Sequence, residues 1–579
     1  MPVERASWET PVRDGVDLVL GPMPRYADAT AVTLWLEATG SCEVEVRAGP
    51  MTCRDHTFEV EGHHYALVVI EGLAPGTDLP YTVALDGRVV WPAAGAQRPP
   101  SRLRTTPPSG DLHVVLGSCR VDRPHREPWD LEPERDVRGV GVDALRALSV
   151  SCARGERPLP DLLLMLGDQV YADEGLAPRV REWQVERRGP ESEPRHGVAD
   201  FEEYTWLYRD SWSDADVRWL LSTVPTAMVF DDHDVHDDWN TSEAWRHQIQ
   251  RLPWWSERIT GAYMSYWVYQ HLGNVSPAEL AEDGLLPALQ APGARGGPLR
   301  DRARRADDEV DGRKLSWWSY VRDLGTTRLV VVDTRSGRVL EQGRRSMLSE
   351  PEWQGVEGQL RGDCTHLLVA SSLPVFMERA VHDLESWSEA VCGGAWGRRA
   401  AQWGERIRQA LDLEHWAAFR SSFDRLAHRL AEVGAGRRGT APASVLVLSG
   451  DVHHSYVASI RYPSAREVRS AVVQVVSSPL RNAFPRRLQR AFRFSSTPFA
   501  RLIGRGLARS VRLPSPEAEW QVTTGPVYGN TLTSLLLDGG QADLRFERAV
   551  LERGRAALRE VHRERLDQHR RPEAHRSSV

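Results

Sequence analysis

The sequence predicts an α/β protein, with a small β-sandwich followed by a larger layered domain built on a buried sheet. Three observations predict it. From Val16 to Arg104, short alternating apolar runs are punctuated by glycine and proline, as in antiparallel strands joined by tight turns. Beyond Pro108, short apolar runs alternate with longer mixed segments, the pattern of strands buried on both faces by helices. At 579 residues the chain exceeds what one core usually fills, so two or more domains are expected.

The expected sandwich strands are Val16 to Leu20, Ala31 to Leu36, Cys42 to Arg47, His64 to Ile70 and Tyr81 to Trp91. Leu73-Ala74-Pro75-Gly76-Thr77, with Tyr81 soon after, resembles the turn before a late strand of fibronectin type III domains. Residues 1–108 are therefore expected to form an immunoglobulin or fibronectin III-like sandwich, its Pro-rich linker running from Pro99 to Pro108. A second domain spans 109–551. Its strands are His113 to Leu116, Leu162 to Leu166, Ala227 to Phe230, Leu329 to Val332, Leu367 to Ala370, Val445 to Leu448 and Val472 to Val476. The aromatic-rich stretch 253–311, with Trp254, Trp255, Tyr263, Tyr266 and Trp267, reads as a helical insertion covering one edge of the site. Trp416, Phe419, Phe423, Leu426 and Leu430 recur at helical spacing and read as a core-facing stripe. Asn530 to Val550 reads as late strands, and 552–579 as a charged tail that frays.

Composition narrows the function classes. Hydrophobic residues at 41% and charged residues at 26% exclude a wholly disordered chain. A formal net charge of -7 argues against nonspecific nucleic-acid binding, which rests on excess Lys and Arg. Nearly all positive charge is arginine, Lys314 being the only lysine, a bias read first as a genome-composition effect. Residues 1–9 lack a basic region leading into an apolar stretch, and no run of about 18 apolar residues exists, so a cytoplasmic location is expected. The six cysteines are too sparse for a disulfide scaffold. Five read as packing residues and Cys119 stands apart.

What unites the apolar runs of the second domain is where their polar residues fall. Gly117-Ser118-Cys119-Arg120 ends the first, Gly167-Asp168-Gln169-Val170-Tyr171 the second and Asp231-Asp232-His233-Asp234 the third. Asp333-Thr334-Arg335 ends a fourth, and Gly450-Asp451-Val452-His453-His454 the next to last. A single Asp after a strand is usually a turn or cap. Four ends that together carry Asp, His, Cys and Tyr are different, because carboxyl ends of parallel strands converge on one crevice. Capping does not select a thiol and a phenol.

These residue types suit phosphoester hydrolysis, in which anionic oxygens repel the nucleophile and water is weakly nucleophilic at neutral pH. Two cations about 3.5–4 Å apart answer both difficulties, and a carboxylate must bridge them. Asp168 is the candidate bridge. His453 is preferred over His454 because residues two apart on an extended end point the same way, placing His453 beside Asp451.

With these motifs the chain resembles the PhoD-like (alkaline phosphatase D) branch of the calcineurin-like metallophosphoesterase superfamily. The resemblance covers Leu112 to about Arg481, including Asp333-Thr334-Arg335 and Ser477-Ser478-Pro479, and extends to the N-terminal sandwich as the family's accessory domain. It implies a layered α-β-β-α domain. Cys119 matches the family's metal-binding Cys, and Asp168 with Tyr171 matches Gly-Asp-x-x-Tyr, whose phenolate binds ferric iron. Asp232 stands where the superfamily's Asn ligand would be, and Asp451 and His453 replace Gly-His-x-His. The metal set implied is thus Cys119, Asp168, Tyr171, Asp232, Asp451 and His453. Thiolate, phenolate and imidazole suit Fe(III), while Asp232 and Asp451 suit Ca²⁺, with Mn²⁺ or Mg²⁺ as alternatives.

His233 is assigned to transition-state stabilisation or leaving-group protonation. Arg120 is assigned to a phosphate oxygen, with Arg335 a weaker candidate. His236, Asp237, Asp238, Asp173 and Glu174 read as a solvated acidic turn or as supporting hydrogen bonds. From Arg481 to Arg512 there are nine arginines and no acid, interleaved with phenylalanines. That segment reads first as a helical cap packed on the domain, and second as a surface for anionic membranes or substrates. The expected partner is a small phosphoester, and nucleic acid is not expected. The competing class is a catalytically silent protein that keeps the fold to bind metal or a partner. The twin-arginine leader of exported members is absent from the opening residues, which makes scavenging outside the cell doubtful.

Overall fold

The computed structural model describes residues 15–568 other than 109, 309–315, 485–488, 490–492 and 496. The opening residues 1–9, Lys314, residues 569–579 and part of the arginine-rich stretch lie outside the described residues.

Nine short strands form the N-terminal sandwich. One sheet orders β1 (Leu18–Ala27), β2 (Ala31–Ala38), β6 (His63–Glu71) and β5 (Phe58–Val60). The other orders β4 (Met51–His56), β3 (Glu43–Ala48), β7 (Asp78–Leu85) and β8 (Arg88–Trp91), with β9 (Arg102–Arg104) pairing β7. Alternation along β2 explains why all eight of its residues are buried. Val32, Leu34 and Leu36 face the opposite sheet, whereas Trp35 faces the main core. The sandwich therefore has two apolar faces. Its second face docks through Trp35 edge-on to Trp212 and through Tyr65, whose hydroxyl lies 2.9 Å from that of Tyr269.

Two larger sheets pack face to face in the second domain. The six-stranded sheet runs β12 (Thr226–Met228), β11 (Leu162–Met165), β10 (Leu112–Gly117), β20 (Thr531–Asp538), β21 (Gln541–Glu552) and β22 (Arg555–Arg565). The seven-stranded sheet runs β13 (Tyr320–Leu324), β14 (Thr327–Val332), β15 (His366–Ser371), β16 (Ser444–Ser449), β18 (Ala471–Val476), β17 (Ser455–Arg461) and β19 (Glu519–Val527). Within them β10, β11 and β12 are parallel, as are β14, β15, β16 and β18. Alternate residues divide between two cores. Leu329 and Val331 point into the core shared by the sheets, and Val330 and Val332 point outward onto Phe423, Leu426 and Leu430. These three lie on the helix Arg420–Gly434, whereas Trp416 and Phe419 of the expected stripe lie in the turn before it and are buried in the same core.

Two expectations change and one widens. Residues 555–565 are not a fraying tail: β22 pairs with β21 over its whole length, with Ala556 buried and its charges on an exposed edge. Charge density hid the alternation. The insertion forms helices Trp255–Ser265, Pro277–Asp283, Leu285–Gln290 and Gly297–Asp308. It reaches the sandwich, Arg300 pairing with Glu61, as well as the site loop, where Arg258 Nε donates to the Val235 carbonyl at 3.0 Å. Arg481 is a buried strut, 2.8 Å from Asp130, rather than part of a basic surface.

Candidate active site

Every expected metal-binding residue sits just beyond the carboxyl end of a strand. Cys119 follows β10, Asp168 and Tyr171 follow β11, Asp232 follows β12, and Asp451 and His453 follow β16. The turns that carry them are sharp. Cys119, Asp168, Asp451 and His453 have φ of 55°, 51°, 67° and 53°, a left-handed conformation costing non-glycine residues about 1–3 kcal/mol each. Two glycines permit the approach. A Cβ on Gly450 would collide with the Ser118 side chain, and one on Gly167, itself at φ 103°, would lie 2.7 Å from Asp231 Cβ.

The donors gather into three groups, two of which share Asp168, the third being Asp232, His233 and Asp237. Cys119, Asp168 and His453 offer ligand atoms within 4.8 Å of one another, and so do Asp168, Asp231, Asp232 and Asp451. The Tyr171 hydroxyl lies 3.4 Å from Asp168 Oδ2 and accepts from Asn482 Nδ2 at 3.0 Å. Ser478 joins the softer end, its hydroxyl donating to Cys119 Sγ at 3.2 Å and accepting from the His453 N–H at 3.1 Å. Opposite, Arg335 reaches Asp231 at 2.6 Å, Asp232 at 3.0 Å and Glu414 at 2.5 Å. His415 links Glu385, at 2.7 Å, to Asp451, at 3.3 Å.

Residues 151–284 match the family model described as PhoD-like phosphatase. The match covers about a quarter of the chain and includes Asp168, Tyr171, Asp232 and His233. Residues 15–103 match a domain of unknown function (DUF7800). A solved structure described as PhoD is similar over 95% of this chain and 90% of its own, with a TM-score of 0.56 and 13% identity. It shows a shared fold. The purple acid phosphatase PPD1 from seeds of yellow lupin (Lupinus luteus) covers 91% of this chain and 71% of its own at 9% identity, with a TM-score of 0.45. No curated protein matches the chain.

The electrostatics of the site suit cation binding. Burial, then the surrounding carboxylates, pushes Asp168 well above the usual carboxyl range, His233 partly offsetting this. Burial raises Asp231 in the same way, with Arg335 opposing it. Burial also lifts the Cys119 thiol and the Tyr171 phenol, each further raised by Asp168. Asp451 is buried too, yet His415 and then Arg335 hold its pKa down. Burial drops His453 to about 4, leaving a neutral imidazole able to bind a cation. Asp168 Oδ1, Asp231 Oδ2 and His453 Nδ1 are buried without hydrogen-bond partners. Buried polar atoms of this kind call for an ion or water, and the donor types present fit metal ions.

His233 lies beside this cluster, its Nδ1 3.0 Å from Asp173 Oδ2 and its ring 4.4 Å from that of Tyr171. Burial opposes its charge, but Asp173 and Asp168 raise its pKa well above the ordinary value. Asp173 and Asp237 also line a neighbouring cavity of about 890 Å³ with His236, Trp254 and Arg181. The acidic turn thus supports the site: the N–H of Asp237 donates to Asp173 at 2.5 Å, and that of Asp238 to Asp232 at 3.1 Å. His454 turns away, 3.7 Å from Glu378.

Arg120 corrects the sequence reading. Its guanidinium is buried, bonded to Asp143 Oδ2 at 2.9 Å and to Ser211 Oγ at 2.7 Å. It ties the start of the helix Ala144–Ala153 to the helix Phe201–Trp212. The reversal at Cys119 sends consecutive side chains to opposite sides. Sequence reasoning missed Asp231, Glu385, Glu414, His415 and Asn482, and underrated Arg335. Asp231 adjoins an expected ligand and was within reach, but the others follow no strand-end pattern.

Proposed function

We propose that the chain hydrolyses small phosphate esters at a dinuclear metal centre. The observation that carries this reading is Asp168, common to two of the donor groups. Cys119, Tyr171 and His453 would hold Fe(III), and Asp232 and Asp451 a harder ion, Ca²⁺ or else Mn²⁺ or Mg²⁺. When bound, the pair supplies an acidified water and Lewis acidity toward phosphoryl oxygens. Arg335 and His415 hold the carboxylates of the harder end in place. His233, oriented by Asp173, presents a proton to the phosphoryl or leaving-group oxygen. The adjoining cavity leaves room for the leaving group, which is compatible with monoesters and diesters.

Elemental analysis of the purified protein, followed by turnover of p-nitrophenyl phosphate and its bis-ester with each metal restored, tests the reading. Two metal equivalents and a visible phenolate-to-iron band that disappears in Tyr171→Phe are expected. A metal-loaded protein without turnover of either ester, or a band that survives loss of the phenol, would overturn it.

A further inference from the structure

A second cavity, of about 420 Å³, lies outside the metal site. Its walls are the start of the helix Arg379–Cys392, strands β17 and β19, and the helix Pro498–Ser510. Six arginines line it: Arg379, Arg420, Arg461, Arg501, Arg505 and Arg509. The lining acids are Asp383 and Glu519. Arg379 pairs with Asp383 at 3.1 Å and lies 4.7 Å above the Trp520 ring. Arg420 pairs with Asp424 at 2.9 Å. Arg461, Arg501, Arg505 and Arg509 have no ion-pair partner among the described residues, so positive charge is in excess. Neighbouring guanidiniums are felt inside, since Arg420 and Arg505 add to burial in lowering the Arg379 pKa.

The helix is placed to hold this arrangement. Ala500 and Gly504 face the helix Arg379–Cys392, where a Cβ on Gly504 would sit 3.1 Å from the Ala380 carbonyl oxygen and from Asp383 Cβ. Positions 501, 505 and 509 are four apart and form one row beside that contact. Like charges in such a row destabilise a helix unless an anion answers them. Guanidinium forks match phosphate oxygens two at a time, and the cavity is larger than one phosphate requires.

We infer that this arginine-lined cavity is a binding site for an anion carrying two or more phosphate groups. It shares a helix with the metal site, since Glu385 of the helix Arg379–Cys392 holds His415. It shares no lining residue with the proposed metal ligands. The anion therefore binds without entering the hydrolytic centre, and the inference does not depend on which esters are hydrolysed.

Calorimetric titration of the full, metal-loaded chain with inositol hexasulfate tests this, because the probe carries dense anionic charge and no phosphoester. Orthovanadate is kept present to fill the metal site. One equivalent should bind, and Arg501→Ala, Arg505→Ala or Arg461→Ala should each weaken binding about tenfold with p-nitrophenyl phosphate turnover unchanged. A parallel arm uses phosphatidylserine vesicles, because Phe499, Leu502 and Ile503 are 62%, 66% and 45% exposed on the same helix. Binding to vesicles without binding of the soluble probe would overturn the cavity site and assign the arginines to a membrane face. Absence of binding, equal binding by the variants, or binding seen only in a control without orthovanadate would overturn it as well.

Discussion

His233 is held between two carboxylates, with Asp173 at 3.0 Å from Nδ1 and Asp237 at 3.9 Å from Nε2. Removing its imidazole leaves the two donor groups that share Asp168 intact, so chemistry and metal binding should separate. His233→Ala is expected to lower turnover about 100- to 10,000-fold while metal content, read by elemental analysis, stays at the wild-type level. Loss of metal together with activity would recast the residue as part of the metal cage. Motif spacing revealed His233 but not its orienting partner. Asp173 lies in a run of acids where any one looks solvated, and only its burial and its contact with the ring distinguish it.

Among elements, the helix Arg379–Cys392 and the segment leading into the helix Arg420–Gly434 act on the metal site from behind. Glu385 on the first meets His415 before the second, and His415 meets Asp451. This relay fixes the carboxylate of a strand-end turn that already carries the cost of φ 67° at Asp451. His415→Ala should weaken metal binding at the harder site proposed around Asp451 about 10- to 100-fold, seen as a higher metal concentration for half-maximal turnover. Full activity at saturating metal would mark His415 as a positioning residue. An unchanged metal dependence would deny the relay any role. No periodicity announces such a link, because Asp451 and Glu385 belong to remote elements brought together only by packing.

Across the whole molecule, the sandwich and the layered domain are clasped by His63. Its Nδ1 lies 3.0 Å from Glu37 and its Nε2 2.8 Å from Glu202. Burial opposes the charge, but Glu202 and Glu37 outweigh it and raise the pKa from 6.5 to about 10. The raised value sets the sign: the stabilisation is fully present below pH 6.5 and is lost as pH rises through about 10. His63→Leu should cost about 1–3 kcal/mol near neutral pH, because Glu37 is left buried with one partner fewer. The difference from wild type in denaturant midpoint should shrink toward pH 10. A gap that stays constant with pH would rule out a charged clasp. Among the described residues no helix is long and apolar enough to cross a membrane.

The residue pattern alone determined the seven apolar strands of the layered domain, β10, β11, β12, β14, β15, β16 and β18, together with which of their ends carry chemistry and which donor types they bear; it did not reveal β13, β17, β19 or β22. Such features are local: period-two alternation marks a strand, and a thiol, a phenol and paired acids after apolar runs mark a metal-competent rim. Tertiary structure alone decided where neighbouring side chains point and what stands behind each donor. Arg120 turns into the helical layer because Cys119 reverses the chain at φ 55°. Arg335 becomes the counter-ion of Asp231, Asp232 and Glu414 because three remote segments close on it. The strand β22 keeps its place because β21 offers a free edge. Local pattern sets an element and its faces, whereas the partner on each face depends on how all the elements pack at once.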